Sequence, residues 1–147
     1  MDTGKVETHI TNGIATIEFF HPQSNSLPGQ LLRSLALEIE KAGKNAEAKV
    51  IVIKSGGEKA FCAGASFDEL TSIADLETGK KFFSGFAAVI NAMRKAPKFV
   101  IARVQGKAVG GGVGIASAAD YTLATEAAAV KLSELNVGIG PFVVGPA

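Results

Sequence analysis

Phe99-Val-Ile-Ala-Arg-Val104, followed at once by Gln105-Gly-Lys-Ala-Val-Gly-Gly-Gly-Val-Gly114, is the stretch that decides the fold. A short apolar run of this kind reads as a buried strand. The small residues behind it read as a tight loop opening a small-residue helix over about Gly111–Ala119. A second loop of the same character, Phe61-Cys-Ala-Gly-Ala-Ser66, follows another apolar run, Val50–Lys54, with Ser55-Gly56-Gly57 between them. Glycine and alanine leave backbone N–H groups open to an approaching ligand, and glycine also reaches unusual backbone angles. Two such loops can place two N–H donors around one oxygen, and the open N-terminus of a helix favours an oxyanion. Tight helix–strand packing uses the same small residues, so either loop alone carries both readings.

Working outward, Val6–Thr11 and Ile14–Phe19 flank Asn12-Gly13, the strongest short hairpin signal because both turn residues tolerate positive φ. His21-Pro22-Gln-Ser-Asn-Ser reads as a loop. Leu31, Leu32, Leu35 and Ile39 recur at helical spacing and predict a helix from about Pro28 to Asn45. Phe82, Phe83, Phe86, Val89, Ile90 and Met93 predict a second helix from Asp75 to Lys95, ending before Pro97. Asp120–Ala124 and Ala129–Leu132 read as further strands. The order ββ, α, β, loop, α, β, loop, α, ββ is an α/β arrangement, with no internal repeat and no boundary within residues 1–147.

Composition narrows the function classes. The formal net charge is +1 with Lys and Arg scattered, which argues against nucleic acid or an anionic membrane as the main partner. Cys62 is the single cysteine, so an internal disulfide is excluded and a reducing, cytoplasmic setting is the expectation. No uninterrupted apolar run reaches membrane-spanning length. Gly112-Val-Gly114-Ile-Ala-Ser117 puts Ser where a dinucleotide fingerprint needs its third glycine, and no phosphate loop with a GK[ST] ending is present. No His, Cys, Asp and Glu cluster suggests a metal. Cys62 has no His in a plausible partner segment, since His9 falls in a strand and His21 in a loop. Asp68 and Glu69 read as a solvated helix start, Asp120 as a structural brace, Lys59 as a solvated lysine that could also meet a phosphate, and the Phe82/Phe83/Phe86 stripe as core or subunit contact.

In their order and spacing, five pieces resemble the crotonase superfamily, the enoyl-CoA hydratase/isomerase group. They are Asn25-Ser26-Leu27, Lys59-Ala-Phe-Cys-Ala-Gly-Ala-Ser-Phe67, Val104-Gln-Gly-Lys-Ala-Val-Gly-Gly-Gly112, Asp120 after the small helix, and Lys131-Leu-Ser-Glu134 before Val137-Gly138-Ile-Gly-Pro141. The resemblance implies a spiral of ββα units over residues 1–147, with the C-terminal helical trimerisation region of such proteins absent from this chain. It implies an enzyme that holds an acyl-CoA thioester C=O between two backbone N–H groups, here those of Ala65 and Gly111. Ser26, Leu27, Ala63, Ala65, Ser66, Phe67 and Gly111 would line the path of the thioester and CoA, and Glu134 would act as general acid/base. That role would need an apolar pocket, which Leu135, Phe142 and Val143 could supply. No metal and no separate cofactor is expected, because CoA belongs to the substrate.

The family's hydratases carry two glutamates, and Gly114 stands at the first of those positions. Hydration of a 2-enoyl-CoA is the first expectation. Δ3,Δ2-enoyl-CoA isomerisation or another single-glutamate reaction is the alternative, and a non-catalytic CoA-binding subunit is a further one. Fatty acid metabolism and a homotrimer or hexamer of the whole protein are also implied.

Overall fold

The structure is a computed structural model that describes residues 3–147. The chain opens with β1 (Lys5–Thr11) and β2 (Ile14–Phe20), an antiparallel hairpin in full register from Lys5↔Phe20 to Thr11↔Ile14. Asn12 and Gly13 both have positive φ, as the expected turn requires. After β3 (Ser26–Leu27) comes α1 (Gly29–Lys44), whose buried residues include Leu31, Leu32, Leu35 and Ile39. Its last turn carries Lys41 and Lys44, and Lys98 Nζ donates to the Ala42 and Asn45 carbonyls at that end. Cations at a helix C-terminus complement the dipole and occupy its orphan carbonyls.

β4 (Val50–Ser55), β5 (Ala60–Cys62), β6 (Gly64–Ala65) and the short helix α2 (Phe67–Thr71) follow. α3 (Leu76–Lys95) begins in a capping box, with Asp75 accepting from the Thr78 N–H and Thr78 Oγ1 accepting from the Asp75 N–H. Then come β7 (Phe99–Val104), β8 (Lys107–Val109), α4 (Gly111–Ala118), β9 (Tyr121–Ala124), β10 (Val130–Lys131) and a 3₁₀ turn over Glu134–Val137.

The main sheet has the order β1-β2-β4-β7-β9, and every pair after the hairpin is parallel. Ile17, Phe19, Ile51, Ile53, Val100 and Ala102 point from it into the core against Leu35, Ile39 and Val89, and none of these side chains is accessible to solvent. Each large one stabilises the fold by about 1.5–3 kcal/mol relative to exposure. α1 packs against α3, and α3 against α4. Asp120 braces the start of β9, as expected: its Oδ2 accepts from the Val100 N–H at 2.7 Å, while its own N–H donates to the Val100 carbonyl at 2.9 Å.

Two smaller sheets, β10-β8-β5 and β3-β6, were not legible as such. The stretch 61–66 is therefore not simply a loop. It holds the end of β5 and all of β6, and Ser66 caps α2 by accepting from the Glu69 N–H. The expectation of a solvated Glu69 is corrected as well: Glu69 Oε2 accepts from the Gly29 N–H at 2.9 Å, closing the first turn of α1 from another element. Among the described residues no helix is long and apolar enough to cross a membrane.

Candidate active site

Parallel pairing of β5 with β8 aligns Ala60 with Lys107 and Cys62 with Ala108, so the residues that follow the two strands emerge at the same end. That is what brings Ala63-Gly64-Ala65 beside Gly110-Gly111. Gly64 has φ +98, and a Cβ there would lie 3.0 Å from the Val109 carbonyl oxygen and 3.7 Å from the Gly111 nitrogen. β3 fixes the outer side, since Ser26 pairs with Gly64, Leu27 with Ala65, and Ser26 Oγ donates to the Ala65 carbonyl at 2.8 Å. The loop ahead of β3 is held by Asn25, a buried residue with φ +57. Its Oδ1 accepts from the His21 N–H, and its Nδ2 donates to the Gly56 and Ala60 carbonyls.

β10 joins the other edge of β8, with the Ala108 N–H donating to Ala129 and the Gly110 N–H to Lys131. Glu134 then follows within one short turn. Its carboxylate lies beside Gly110, where an added Cβ would be 3.5 Å from Oε1. Glu134 is only 9% exposed, and its Oε2 has no hydrogen-bond partner. No protein group bonds this oxygen, which leaves it available to a molecule in the cleft that Glu134 lines.

These elements enclose a cleft of about 270 Å³, lined among others by Ser26, Ala63, Gly64, Ala65, Phe67, Gly110, Gly111, Ser133 and Glu134. Six of the expected site residues, Ser26, Ala63, Ala65, Phe67, Gly111 and Glu134, are thus brought together. Leu27 and Ser66 are not: Leu27 is 1% exposed within the core, and Ser66 is turned to its capping bond. As the first residue of α4, Gly111 has an N–H with no partner inside the helix. The ring of Phe86 lies where a Gly111 side chain would be, 2.4 Å from the built Cβ position.

The apolar wall differs from expectation. Leu135 and Phe142 are 77% and 85% exposed and do not enclose the site. Val143 lines the cleft as expected, and Leu70, Phe82, Phe83, Phe86, Ile139 and Val144 complete the apolar wall. Along the phenylalanine stripe, Phe86 belongs to the core and also lines the cleft, while the less buried Phe82 and Phe83, in edge-to-face contact at 5.1 Å, line the cavity. The sequence signal was present, because Phe82 and Phe83 precede the buried run Phe86, Val89, Ile90 and Met93 on α3.

Gly114 stays outside the cleft lining. An added Cβ would meet Val144 Cγ1 at 2.7 Å and Ile90 Cδ1 at 2.9 Å, so a side chain there would require these two neighbours to shift. Cys62 is fully buried, and burial pushes its thiol up to about 12, which removes it as a nucleophile at neutral pH. Beyond Ala63 lies a depression lined by Ser24, Lys59 and Lys107 among others. Among the described residues, no three His, Cys, Asp or Glu side chains gather as metal ligands.

The same layout recurs in known proteins. A solved structure from Legionella pneumophila, described as an enoyl CoA hydratase/isomerase (crotonase), superposes with a TM-score of 0.91 at 27% identity, covering 97% of this chain and 56% of that one. The mixed α/β architecture is thus the crotonase fold. The Bacillus subtilis protein YngF, named as an enoyl-CoA hydratase/isomerase, is 34% identical over 135 residues, covering 90% of this chain and 51% of its own length. Human mitochondrial methylglutaconyl-CoA hydratase is 33% identical over 117 residues, covering 80% and 34% respectively. The chain spans about half the length of the first two and about a third of the last. The family model for enoyl-CoA hydratase/isomerase matches residues 9–146, and the chain belongs to that family.

Proposed function

We propose that the cleft binds an acyl-CoA thioester with its carbonyl oxygen between the N–H groups of Ala65 and Gly111, and that the whole protein hydrates a 2-enoyl-CoA. The observation that carries this reading is the convergence of both loop residues and the unpartnered Glu134 Oε2 on one cleft. As water adds to C3, the C2–C3 π electrons move toward the thioester, and the carbonyl oxygen becomes an enolate oxygen. N–H donors bind that oxygen more strongly than the neutral carbonyl, which lowers the barrier rather than merely tightening binding. Glu134 takes the proton from the attacking water and returns it to C2 as the enolate collapses. One water is added, and the carboxylate is regenerated.

A second reading is favoured by the lining itself, in which Glu134 is the one carboxylate among the described residues. Glu134 then removes a proton from C2 of a 3-enoyl-CoA and delivers it to C4, moving the double bond into conjugation with no water consumed. Lys59 and Lys107, beside Ala63, would meet the phosphates of CoA. A homotrimeric or hexameric assembly, a cytoplasmic location and a place in fatty acid metabolism belong to the same proposal.

Assays of the whole protein on crotonyl-CoA and on trans-3-hexenoyl-CoA separate the two reactions. Glu134→Gln is expected to lower kcat by about 10²–10⁴-fold while butyryl-CoA binding changes little. Binding of butyryl-CoA with neither reaction detectable would leave a CoA-binding subunit and end the enzymatic reading.

A further inference from the structure

We infer that Gln105 is a positioning residue for the two N–H donors of the cleft, because its side chain ties the entry of β5 to the entry of β8. The inference rests on the thioester reading proposed above and deepens it, since β5 leads to Ala65 and β8 leads to Gly111. Gln105 stands between β7 and β8 and is not among the residues that line the cleft. Its Nε2 donates to Ser55 Oγ at 2.9 Å, to the Gly57 carbonyl at 3.1 Å and to the Ala60 carbonyl at 3.2 Å. Carbonyl oxygens only accept, so the amino end of the amide is the end that must face them. Its Oε1 bonds no protein group, and the hold on these partners comes from Nε2 alone.

Ala60 is where that hold matters. Between Ala60↔Lys107 and Cys62↔Ala108, β5 advances two residues while β8 advances one, an irregularity of the kind that re-aims a strand. At that step the Ala60 carbonyl accepts from two side-chain amides, those of Gln105 and of Asn25, whose Nδ2 lies 2.9 Å away. Asn25 ties it to the loop before β3, and Gln105 ties it to the residue pair that opens β8. Gly106 closes the same junction from the backbone: a Cβ there would lie 2.6 Å from the Lys59 carbonyl oxygen and 3.3 Å from Ala60 Cα. The Gln105 carbonyl is itself held, accepting from Thr125 Oγ1 at 3.0 Å. β5 and β8 have three residues each, and so few ladder bonds fix their register weakly. A lateral tie at their shared start therefore governs where Ala65 and Gly111 emerge. Small misplacement of groups that act together on one oxygen slows reaction more than it weakens binding.

The test reads the donors directly, with the whole protein and trans-cinnamoyl-CoA, whose C=C is conjugated with both the ring and the thioester. Two N–H groups on the carbonyl oxygen draw charge along that conjugated chain, so the absorption of the bound thioester shifts to the red. Gln105→Met keeps the length of the side chain and removes its donors. It is expected to lose most of the red shift and to lower kcat on crotonyl-CoA by about ten- to a hundredfold. The dissociation constant for butyryl-CoA should stay within about threefold of wild type. Gly13→Ala, in the hairpin turn, gauges what lost stability alone does, and it should keep both the shift and kcat.

A Gln105→Met protein that keeps the wild-type shift and kcat, or loses them only as far as Gly13→Ala does, would overturn the inference. Should Gln105→Met not fold, Gln105→Glu at about pH 8 carries the same expectations, because an ionised carboxylate has the same outline and no proton to donate. Absence of any red shift in the wild type rejects the thioester reading and the inference with it. A wild-type shift that survives in the Gln105 variants rejects the inference alone.

Discussion

Gly64→Ala separates the role of the cleft from the stability of the fold. Gly64 has φ +98, and an added methyl lies 3.0 Å from the Val109 carbonyl oxygen, so that strand must give by a few tenths of an ångström. A side chain held at such a backbone angle costs about 1–3 kcal/mol. For a chain of this length that corresponds to a melting temperature lower by roughly 2–10 °C. The same methyl stands 3.7 Å from the Gly111 nitrogen. An oxygen accepting from that N–H sits about 2.9 Å away, so methyl and thioester oxygen compete for one small volume. Loss of one oxyanion donor lowers kcat by about 10²–10³-fold.

Gly13→Ala is the matched control. Gly13 has φ +79, its nearest atoms belong to the Lys49 side chain at 3.5 Å, and it lies in the hairpin turn away from the cleft. Thermal denaturation should show similar losses for the two variants, whereas kcat on crotonyl-CoA should fall only for Gly64→Ala. If Gly64→Ala keeps kcat within about threefold of wild type while melting like Gly13→Ala, the space beside Gly111 is not where the oxygen binds.

Three further outcomes follow from the same geometry. Asn25→Ala removes three hydrogen bonds from a buried site with φ +57 and is expected to cost about 2–4 kcal/mol; a urea midpoint unchanged from wild type would contradict the bracing role. The double variant Lys59→Ala with Lys107→Ala should raise the dissociation constant for butyryl-CoA roughly tenfold, with weaker dependence on salt and kcat preserved. Cys62, buried and with its thiol raised to about 12, should react with iodoacetamide at pH 8 no faster than the protein unfolds. Rapid labelling of the native protein would show that the strand beneath the cleft opens.

Much of the frame was legible because its elements carry a period or a turn code. Leu31, Leu35 and Ile39 mark α1, Val89 and Met93 mark α3, and Asn12-Gly13 fixes the hairpin. The small sheets were not legible, since β3 and β6 have two residues each and owe their existence to a partner far along the chain. Two residues cannot display an alternation. The same limit hid the bond from Glu69 to the Gly29 N–H, which depends on where α2 is carried rather than on its own sequence. Glu134 was singled out through the ordered motifs, but its burial is a product of β10 pairing with β8. That Phe82 and Phe83 line the cleft was not legible, because helical spacing says which residues share a face, not whether that face meets a core or a cavity.

The contacts around Gly114 bear on how this chain could change its chemistry over time. A single replacement of Gly114 by glutamate drives the new side chain into Val144 and Ile90, whose atoms already stand 2.7 and 2.9 Å from where a Cβ would begin. That variant starts with overpacking of about 1–3 kcal/mol before its carboxylate reaches the cleft. A second acid at this position therefore asks the Ile90 and Val144 side chains to rearrange, and trimming either of them eases that demand. Position 114 is thus coupled to positions 90 and 144 by packing, whatever the chemistry of the cleft.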